Sequence, residues 1–126
     1  MKKLLLMLFL MIFAISCANA ANYLTCDQAM QTGKPFVLYL QSNTCYSCKQ
    51  FTPIFTRIMN GKASYNVVDI NYSYPQGKDV CSSAESKTIP AVYVVDPKQR
   101  TRSKIKFETY FDDTAFTTSL TNLMGF

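Results

Sequence analysis

The sequence contains no histidine and no tryptophan among its 126 residues. Without histidine, the chain cannot carry a Ser-His-Asp triad, a Cys-His protease pair or a zinc site that mixes cysteine with histidine. Charged residues make up only 17% of the chain, and hydrophobic residues make up 48%, which is too many for a disordered protein. Any chemistry must therefore use cysteine, tyrosine, lysine or carboxylate side chains. A chain of this length is expected to form one domain.

The N-terminus differs in composition from the rest of the chain. Lys2 and Lys3 precede an unbroken apolar run over residues 4–15. That run is too short to span a membrane and is typical of the core of a signal peptide. Ala18 and Ala20 then supply small residues at the two positions that a signal peptidase recognises.

We therefore expect residues 1–20 to be a removed signal peptide and residues 21–126 to be one exported, periplasmic domain. The alternatives are a lipoprotein anchored at Cys17, because residues 14–17 loosely match a lipobox, and a retained membrane anchor. Loss of the leader removes two lysines, which lowers the formal net charge from +5 to +3. It also leaves an even number of cysteines in an oxidising compartment. These are Cys26, Cys45, Cys48 and Cys81.

Apolar periodicity in residues 21–126 predicts alternating helices and strands. A continuous apolar run bounded by turn residues predicts a strand at 36–40 that is buried on both faces. Further strands are predicted at 65–72, around residues 67–70, and at 91–95, where the strand is also expected to be buried. Alternation over residues 104–111 predicts a further strand with one core face, paired as an antiparallel hairpin. The resulting prediction is an α/β fold, in which a small central mixed sheet carries helices on both faces.

Helix signals separate these strands. Thr25 and Gln28 have the spacing of a capping box, which predicts the first helix. Apolar residues at i, i+3, i+4, i+7 and i+8 predict a long amphipathic helix that begins near Cys45. A short helix is expected over residues 79–86, and a last helix is expected to begin at Asp112 or Asp113.

Cys45 and Cys48 lie three residues apart, directly after a predicted buried strand and at the start of a predicted helix. The unpaired N–H groups and the positive dipole end there favour an anion. We expect the pKa of the Cys45 thiol to lie below the ordinary value of ~8.5, so that Cys45 attacks and Cys48 resolves the mixed disulfide. The spacing also fits a structural bridge or half of a zinc site. Zinc bound by all four cysteines is disfavoured, because Cys26 and Cys81 lack paired ligand spacing, and no metal is predicted.

The chain resembles the thioredoxin superfamily over essentially all of residues 21–126. The matching features are the strand at 36–40, the C-Y-S-C motif with Lys49, Pro53, and the run Thr88-Ile89-Pro90. This resemblance implies a thioredoxin-like three-layer sandwich and a thiol-disulfide oxidoreductase. It also implies protein thiol or disulfide substrates, a redox partner protein, and no cofactor beyond the chain's own Cys45–Cys48 disulfide.

The resemblance also assigns roles around the cysteine pair. Pro90 would follow a cis peptide bond and flank Cys45, and the backbone of Ile89 would pair with an extended substrate segment. Tyr46 is a candidate for lining the substrate groove. Thioredoxin proper carries a buried aspartate six residues before the first cysteine, where this chain has Tyr39. The alternative function is a redox-inactive adaptor of the same fold in an envelope, secretion or conjugation complex.

Cys26 and Cys81 are the two cysteines that remain once residues 1–20 are removed and the C-Y-S-C pair has formed. Their predicted helices lie on the same side of the proposed sheet, so we expect a second, structural disulfide between them. Two free thiols, or a relay in which Cys81 exchanges with the pair, are the alternatives. The superfamily resemblance does not supply this bridge.

Basic residues occupy alternate positions between residues 98 and 106, and they would share one face if that stretch were extended. They are Lys98, Arg100, Arg102, Lys104 and Lys106. A membrane surface or an acidic partner is one interpretation, and a sheet edge protected by charge is the favoured one. Nucleic-acid binding is disfavoured by the export signal, and a monomer is expected.

Overall fold

The computed structural model describes residues 19–75, 80–82 and 88–126. This part of the chain forms a mixed five-stranded sheet in the order β1-β3-β2-β4-β5. The strands are Asn22–Tyr23 (β1), Phe36–Gln41 (β2), Asn66–Asn71 (β3), Ala91–Asp96 (β4) and Thr101–Lys104 (β5). The helices are Cys26–Thr32 (α1), Tyr46–Met59 (α2) and Asp113–Met124 (α3), with a 3₁₀ turn at Phe107–Thr109.

The long helix α2 crosses over between β2 and β3, which are therefore parallel neighbours. β1 is also parallel to β3, whereas β4 is antiparallel to both β2 and β5. The prediction of an α/β three-layer sandwich with a mixed sheet is confirmed. Over the residues that the structure covers, no helix is long and apolar enough to cross a membrane.

Alternation along β2 sends successive side chains into two separate cores. Val37 and Tyr39 face α2 and α3, where they meet Phe51, Phe55 and Phe116. We call this side the α2–α3 face. The alternate residues of β2 point to the other side of the sheet and pack around α1. They are Phe36, Leu38 and Leu40. We call that side the α1 face.

Local signals position α1 as the sequence predicts. The Thr25 hydroxyl accepts from the Gln28 backbone N–H at 3.2 Å, and the Thr25 N–H donates to the Gln28 side chain at 3.0 Å. Both halves of the capping box are thus present. Gly33 ends the helix with φ of +68°, a left-handed conformation that glycine adopts without a Cβ penalty.

The prediction of a strand over residues 104–111 is wrong beyond Lys104. β5 ends at Lys104, and the chain turns through the 3₁₀ segment, so Phe107 stays half exposed. The Tyr110 hydroxyl accepts from the Val92 N–H at 2.8 Å and donates to the Ile105 carbonyl at 3.2 Å. This side chain inserts between β4 and the departing chain, which stops the ladder there.

The basic residues do not share one extended face, because residues 97–100 form the turn between β4 and β5 and Arg100 has φ of +52°. Arg102 donates to the Val80 carbonyl at 2.8 Å and lies over the Tyr93 ring. Lys104 donates to the Thr88 hydroxyl at 3.2 Å. The helix predicted over residues 79–86 falls mostly outside the described residues, and residues 80–82 form a turn.

Candidate active site

Cys45 is the N-cap residue of α2, with extended backbone angles of φ −87° and ψ 115°. Its sulfur accepts a hydrogen bond from the Cys48 backbone N–H at 3.1 Å, which satisfies one of the unpaired donors of the helix start. The two cysteines form a disulfide with their Cα atoms 5.2 Å apart. A thiolate at Cys45 would therefore face a helix N–H group and the positive end of the helix dipole.

The two sulfurs differ in accessibility. Cys45 is half-buried, whereas Cys48 lies one turn along α2 and is only 1% exposed. Because a substrate must reach the sulfur it reacts with, this geometry favours Cys45 as the first contact and Cys48 as the internal partner.

The segment before β4 completes the surroundings of Cys45. The Ile89–Pro90 peptide bond is cis. The Ile89 carbonyl oxygen lies 3.6 Å from the Cys45 sulfur, so it can accept a hydrogen bond from the reduced thiol. Ile89 is half-buried and Pro90 is buried. The structure thus brings Ile89 and Pro90 to the cysteine pair.

Tyr46 projects away from this junction. Its side chain is largely solvent-exposed, with 74% of the residue accessible. Its hydroxyl accepts from the Gln50 amide at 3.0 Å, one turn further along α2. Tyr46 therefore lies along the outer surface of the helix, beside the site and available to a partner.

The loop that precedes Cys45 is fixed by polar contacts that the sequence does not reveal. The Ser42 side chain is buried and lies 3.0 Å from the Thr44 hydroxyl and 3.1 Å from the Ser73 hydroxyl. The Asn43 N–H also donates to Ser73, at 2.8 Å. Residues 42–44 are all polar, which was the only sequence signal for this arrangement, and nothing in the sequence pointed to Ser73 as their partner.

A second polar network lies beneath the first turns of α2. Tyr39 and Thr52 hydroxyls are 2.7 Å apart, and the Thr52 hydroxyl donates to the Gln41 amide oxygen at 3.1 Å. The Gln41 amide nitrogen donates to both carboxylate oxygens of Asp69, at 2.8 and 3.0 Å. Since Thr52 donates its single proton to Gln41, Tyr39 donates to Thr52, and every donor points toward Asp69.

Burial raises the pKa values of the two ionisable groups in this network, Tyr39 and Asp69. Desolvation raises the pKa of Tyr39 to about 12, against the opposing effect of its hydrogen bond to Thr52. Desolvation also raises the pKa of Asp69, although the residue is partly open to solvent, and the Gln41 hydrogen bonds oppose that shift. A cleft of about 400 Å³ borders the network and is lined by Gln41, Ser42, Asn43, Lys49, Thr52 and Pro53.

Cys26 and Cys81 form a second disulfide, with their Cα atoms 6.0 Å apart. Both are buried within the α1 face, where Cys26 is the first residue of α1. This bridge is separate from the reactive pair and lies on the other side of the sheet from the body of α2. Within the described residues, no three cysteine, aspartate or glutamate side chains are grouped as a metal site would need.

A buried strand that leads into a helix capped by a half-exposed, disulfide-bonded cysteine defines a thiol-disulfide oxidoreductase. The comparisons agree with that class. Thioredoxin of Mycoplasmoides gallisepticum is 27% identical over 89 residues, which cover 71% of this chain and 87% of that protein. No protein-family model matches the chain.

Solved structures share the fold at low sequence identity. A thioredoxin from Thermus thermophilus matches with a TM-score of 0.58 and 15% identity, over 82% of this chain and 87% of that one. The J-Trx1 fragment of ERdj5 matches with a TM-score of 0.62 and 11% identity over 81% of this chain, which spans about half (51%) of that fragment. The chain thus has the thioredoxin fold and is similar in sequence to a thioredoxin.

Proposed function

We propose that this protein exchanges disulfides with protein substrates, with Cys45 as the attacking thiol and Cys48 as the resolving thiol. One observation carries the assignment. The half-exposed Cys45 sulfur caps α2 and accepts a helix N–H, whereas Cys48 is buried one turn behind it. The helix start stabilises negative charge on Cys45, which is the form of cysteine that attacks.

The exchange proceeds in two balanced steps. The Cys45 thiolate attacks one sulfur of a substrate disulfide, forming a mixed disulfide and releasing the other substrate sulfur as a thiolate, which takes up a proton. Cys48 then loses its proton and attacks the Cys45 sulfur. The Cys45–Cys48 disulfide forms, and the second substrate thiol leaves. Run in reverse, the same steps pass the disulfide to a dithiol substrate.

The proposal gives the neighbouring residues supporting roles. The backbone at Ile89 contacts an extended substrate segment as it reaches Cys45, and Pro90 holds that backbone beside the sulfur. Tyr46 contacts the substrate from the helix side, where its ring is exposed. The chemistry needs the cysteine pair, a protein substrate and a redox partner protein that resets the pair.

We further propose that the protein works as a monomer in an oxidising, exported compartment such as the periplasm. The basic and apolar pattern of residues 1–20 supports export, with anchorage at Cys17 as the alternative. The pairing of four cysteines into two disulfides suits such a compartment.

Single-cysteine variants test the roles. Cys48→Ser should accumulate mixed disulfides with substrate proteins, because the resolving thiol is missing, whereas Cys45→Ser should abolish both exchange and trapping. Non-reducing gels and mass spectrometry of the trapped species measure both results. Ser47→Ala is the matched control and should retain exchange. Trapping by Cys45→Ser alone would reverse the roles, and a folded wild-type protein without exchange activity would support the adaptor alternative.

A further inference from the structure

We propose that the Thr52 hydroxyl is a positioning group for the cysteine pair, because it joins the first turns of α2 to the end of β2. The inference rests on the proposed exchange function and adds a residue that acts on Cys45 through Cys48. Thr52 lies four residues after Cys48, and the whole segment from Gln41 to Thr52 belongs to the described part of the structure.

The Thr52 hydroxyl lies between two side chains of β2. It donates to the Gln41 amide oxygen at 3.1 Å, and the Tyr39 hydroxyl donates to it at 2.7 Å. The Asp69 carboxylate on β3 holds Gln41 in turn, because it accepts from the Gln41 amide nitrogen at 2.8 and 3.0 Å. Tyr39 and Gln41 alternate along β2, and Asp69 is the β3 partner of Tyr39, so all three side chains project to the α2–α3 face. At this one hydroxyl, the helix contacts a polar group that is fixed to two strands.

The hydrogen bond from Thr52 to Gln41 closes the segment that contains both cysteines. Gln41 is the last residue of β2, and eleven positions separate it from Thr52. The loop between them leads to Cys45, whose N–H donates to the Ser42 carbonyl at 3.2 Å. Because both ends of the segment are joined, a shift of Thr52 relative to the strand would be absorbed where the cysteines lie.

Pro53 interrupts the backbone hydrogen bonds of α2 directly after Thr52. A proline has no N–H, so the Lys49 carbonyl lacks the intrahelical donor that residue 53 would otherwise supply. In an α-helix, the Thr52 N–H is the donor to the Cys48 carbonyl. Thr52 is thus the last residue before the interruption that bonds back to the cysteine turn, and its side chain fastens that turn to the sheet.

Cys48 connects this contact to the reacting sulfur. Its N–H donates to the Cys45 sulfur at 3.1 Å, where it stabilises negative charge. Apolar packing of Phe51 and Phe55 also holds the helix, but such packing is not directional, whereas a hydrogen bond weakens steeply as its angle is bent. A small rotation of the first turns of α2 would therefore weaken the Cys48 N–H contact while the core stays packed.

The test compares Thr52→Val, which replaces the hydroxyl with a methyl group of similar size, with Thr52→Ser, which keeps the hydroxyl. The measured quantities are the equilibrium constant of the Cys45–Cys48 pair in glutathione buffers and the pH dependence of Cys45 alkylation by iodoacetamide. Because the Cys48 N–H stabilises the thiolate, Thr52→Val should raise the pKa of the Cys45 thiol. It should also shift the equilibrium toward the disulfide by about fivefold, the effect of one ordinary hydrogen bond. Thr52→Ser should keep both quantities near their wild-type values.

A double variant separates positioning from stability. Thr52→Val deprives the buried Tyr39 hydroxyl of its acceptor, which by itself destabilises the fold. Tyr39→Phe/Thr52→Val removes that hydroxyl as well, so it should be more stable than Thr52→Val and show the same shift in the equilibrium constant. Tyr39→Phe alone keeps the bond from Thr52 to Gln41 and should change the constant much less.

Leu120→Ala is the control for general destabilisation, since it weakens the packing of α3 and lies outside the polar network. It should lower the melting temperature and leave the equilibrium constant and the alkylation profile unchanged. Wild-type values of both quantities in Thr52→Val and in the double variant would overturn the proposal, as would a Thr52→Ser variant that behaves like Thr52→Val. A shift of the same size in Leu120→Ala would also overturn it. Glutathione and iodoacetamide report on the pair directly, so failure of the wild type to exchange disulfides with proteins would contradict only the proposed function.

Discussion

The two faces of the sheet are stabilised by different means, although the same strands supply both. On the α2–α3 face, helices of 14 and 12 residues cover a stack of aromatic rings in which Phe51 contacts Tyr39, Phe55, Tyr110 and Phe116. On the α1 face, the described helix has seven residues, and a disulfide ties its first residue to the turn at residues 80–82.

The packed face carries the helix that holds the reactive cysteines. It supplies α2, so its rigidity fixes the relative positions of Cys45 and Cys48. The Cys26–Cys81 bridge lies among the residues of the α1 face and shares no residue with the packed core, so the two faces can be disturbed separately.

The largest effect expected from a single substitution comes from the α2–α3 face. Phe51→Ala removes a fully buried ring from the centre of the stack, and we expect it to lower the free energy of unfolding by about 4 kcal/mol. Urea denaturation followed by circular dichroism measures this loss. Phe111→Ala, which removes a half-exposed ring at the edge of the same stack, is the control and should cost far less. Equal losses would mean that the stack is not the main source of stability on this face.

Removing the bridge on the α1 face should cost slightly less. Closure of a loop with a sequence separation of 55 corresponds to about 4 kcal/mol in the entropy model, and measured values are commonly 2–4 kcal/mol. Cys26→Ala/Cys81→Ala should therefore lose about 3 kcal/mol in the same denaturation assay. A loss well under 1 kcal/mol would show that apolar packing alone holds the α1 face.

Alkaline pH should act on the α2–α3 face through its buried tyrosines. Desolvation raises the pKa of both Tyr39 and Tyr110 from 10.0 to about 12, so the unfolded chain releases their protons first. The contribution of each tyrosine to the free energy of unfolding is fully present below pH 10. It should be lost between about pH 10 and 12, which lowers that free energy by up to roughly 2–3 kcal/mol for each tyrosine. Melting temperatures across this range measure the loss. Tyr110→Phe should reduce the slope, and an unchanged slope would mean that this buried hydroxyl does not contribute to the loss.

The smallest effect is expected at Asp69, at the end of the hydrogen-bonded series from Tyr39. Because desolvation raises the pKa of its carboxyl, the folded state holds that proton longer than the unfolded state, and ionised Asp69 costs stability at neutral pH. Asp69→Asn should therefore raise the free energy of unfolding at pH 7 by well under ~1 kcal/mol, because the group is exposed to solvent. A slightly higher melting temperature at pH 7 measures this gain. The gain should disappear as pH falls below the ordinary carboxyl range. Destabilisation at pH 7 would show that the charge is needed by Gln41.

Local signals account for what the sequence predicted correctly. The Thr25 capping box, the apolar run of β2 and the spacing of α2 each depend on residues close together in the chain, and each element is found where it was expected. The helix start at Cys45 belongs to the same class. Such patterns need no knowledge of tertiary partners.

Long-range partners explain what the sequence could not give. The alternation of apolar and polar residues after Lys104 indicated a longer strand. The Val92 N–H instead donates to the Tyr110 hydroxyl, and the pairing of β4 with β5 ends there. Ser73 lies about 30 residues from the loop that it holds, and its side chain carries no pattern that identifies Asn43 as a partner. β1 has two residues, which is too short for periodicity to be detected.

Cys45 caps its own helix with the atom that reacts, so local folding and chemistry make opposing demands on one position. Helix starts favour an oxygen from serine, threonine, aspartate or asparagine there, because those side chains accept the backbone N–H more strongly than a thiol does. The chain instead places sulfur at this position. It gives up part of a helix cap in exchange for a nucleophile, which is the trade between stability and activity seen at many active sites.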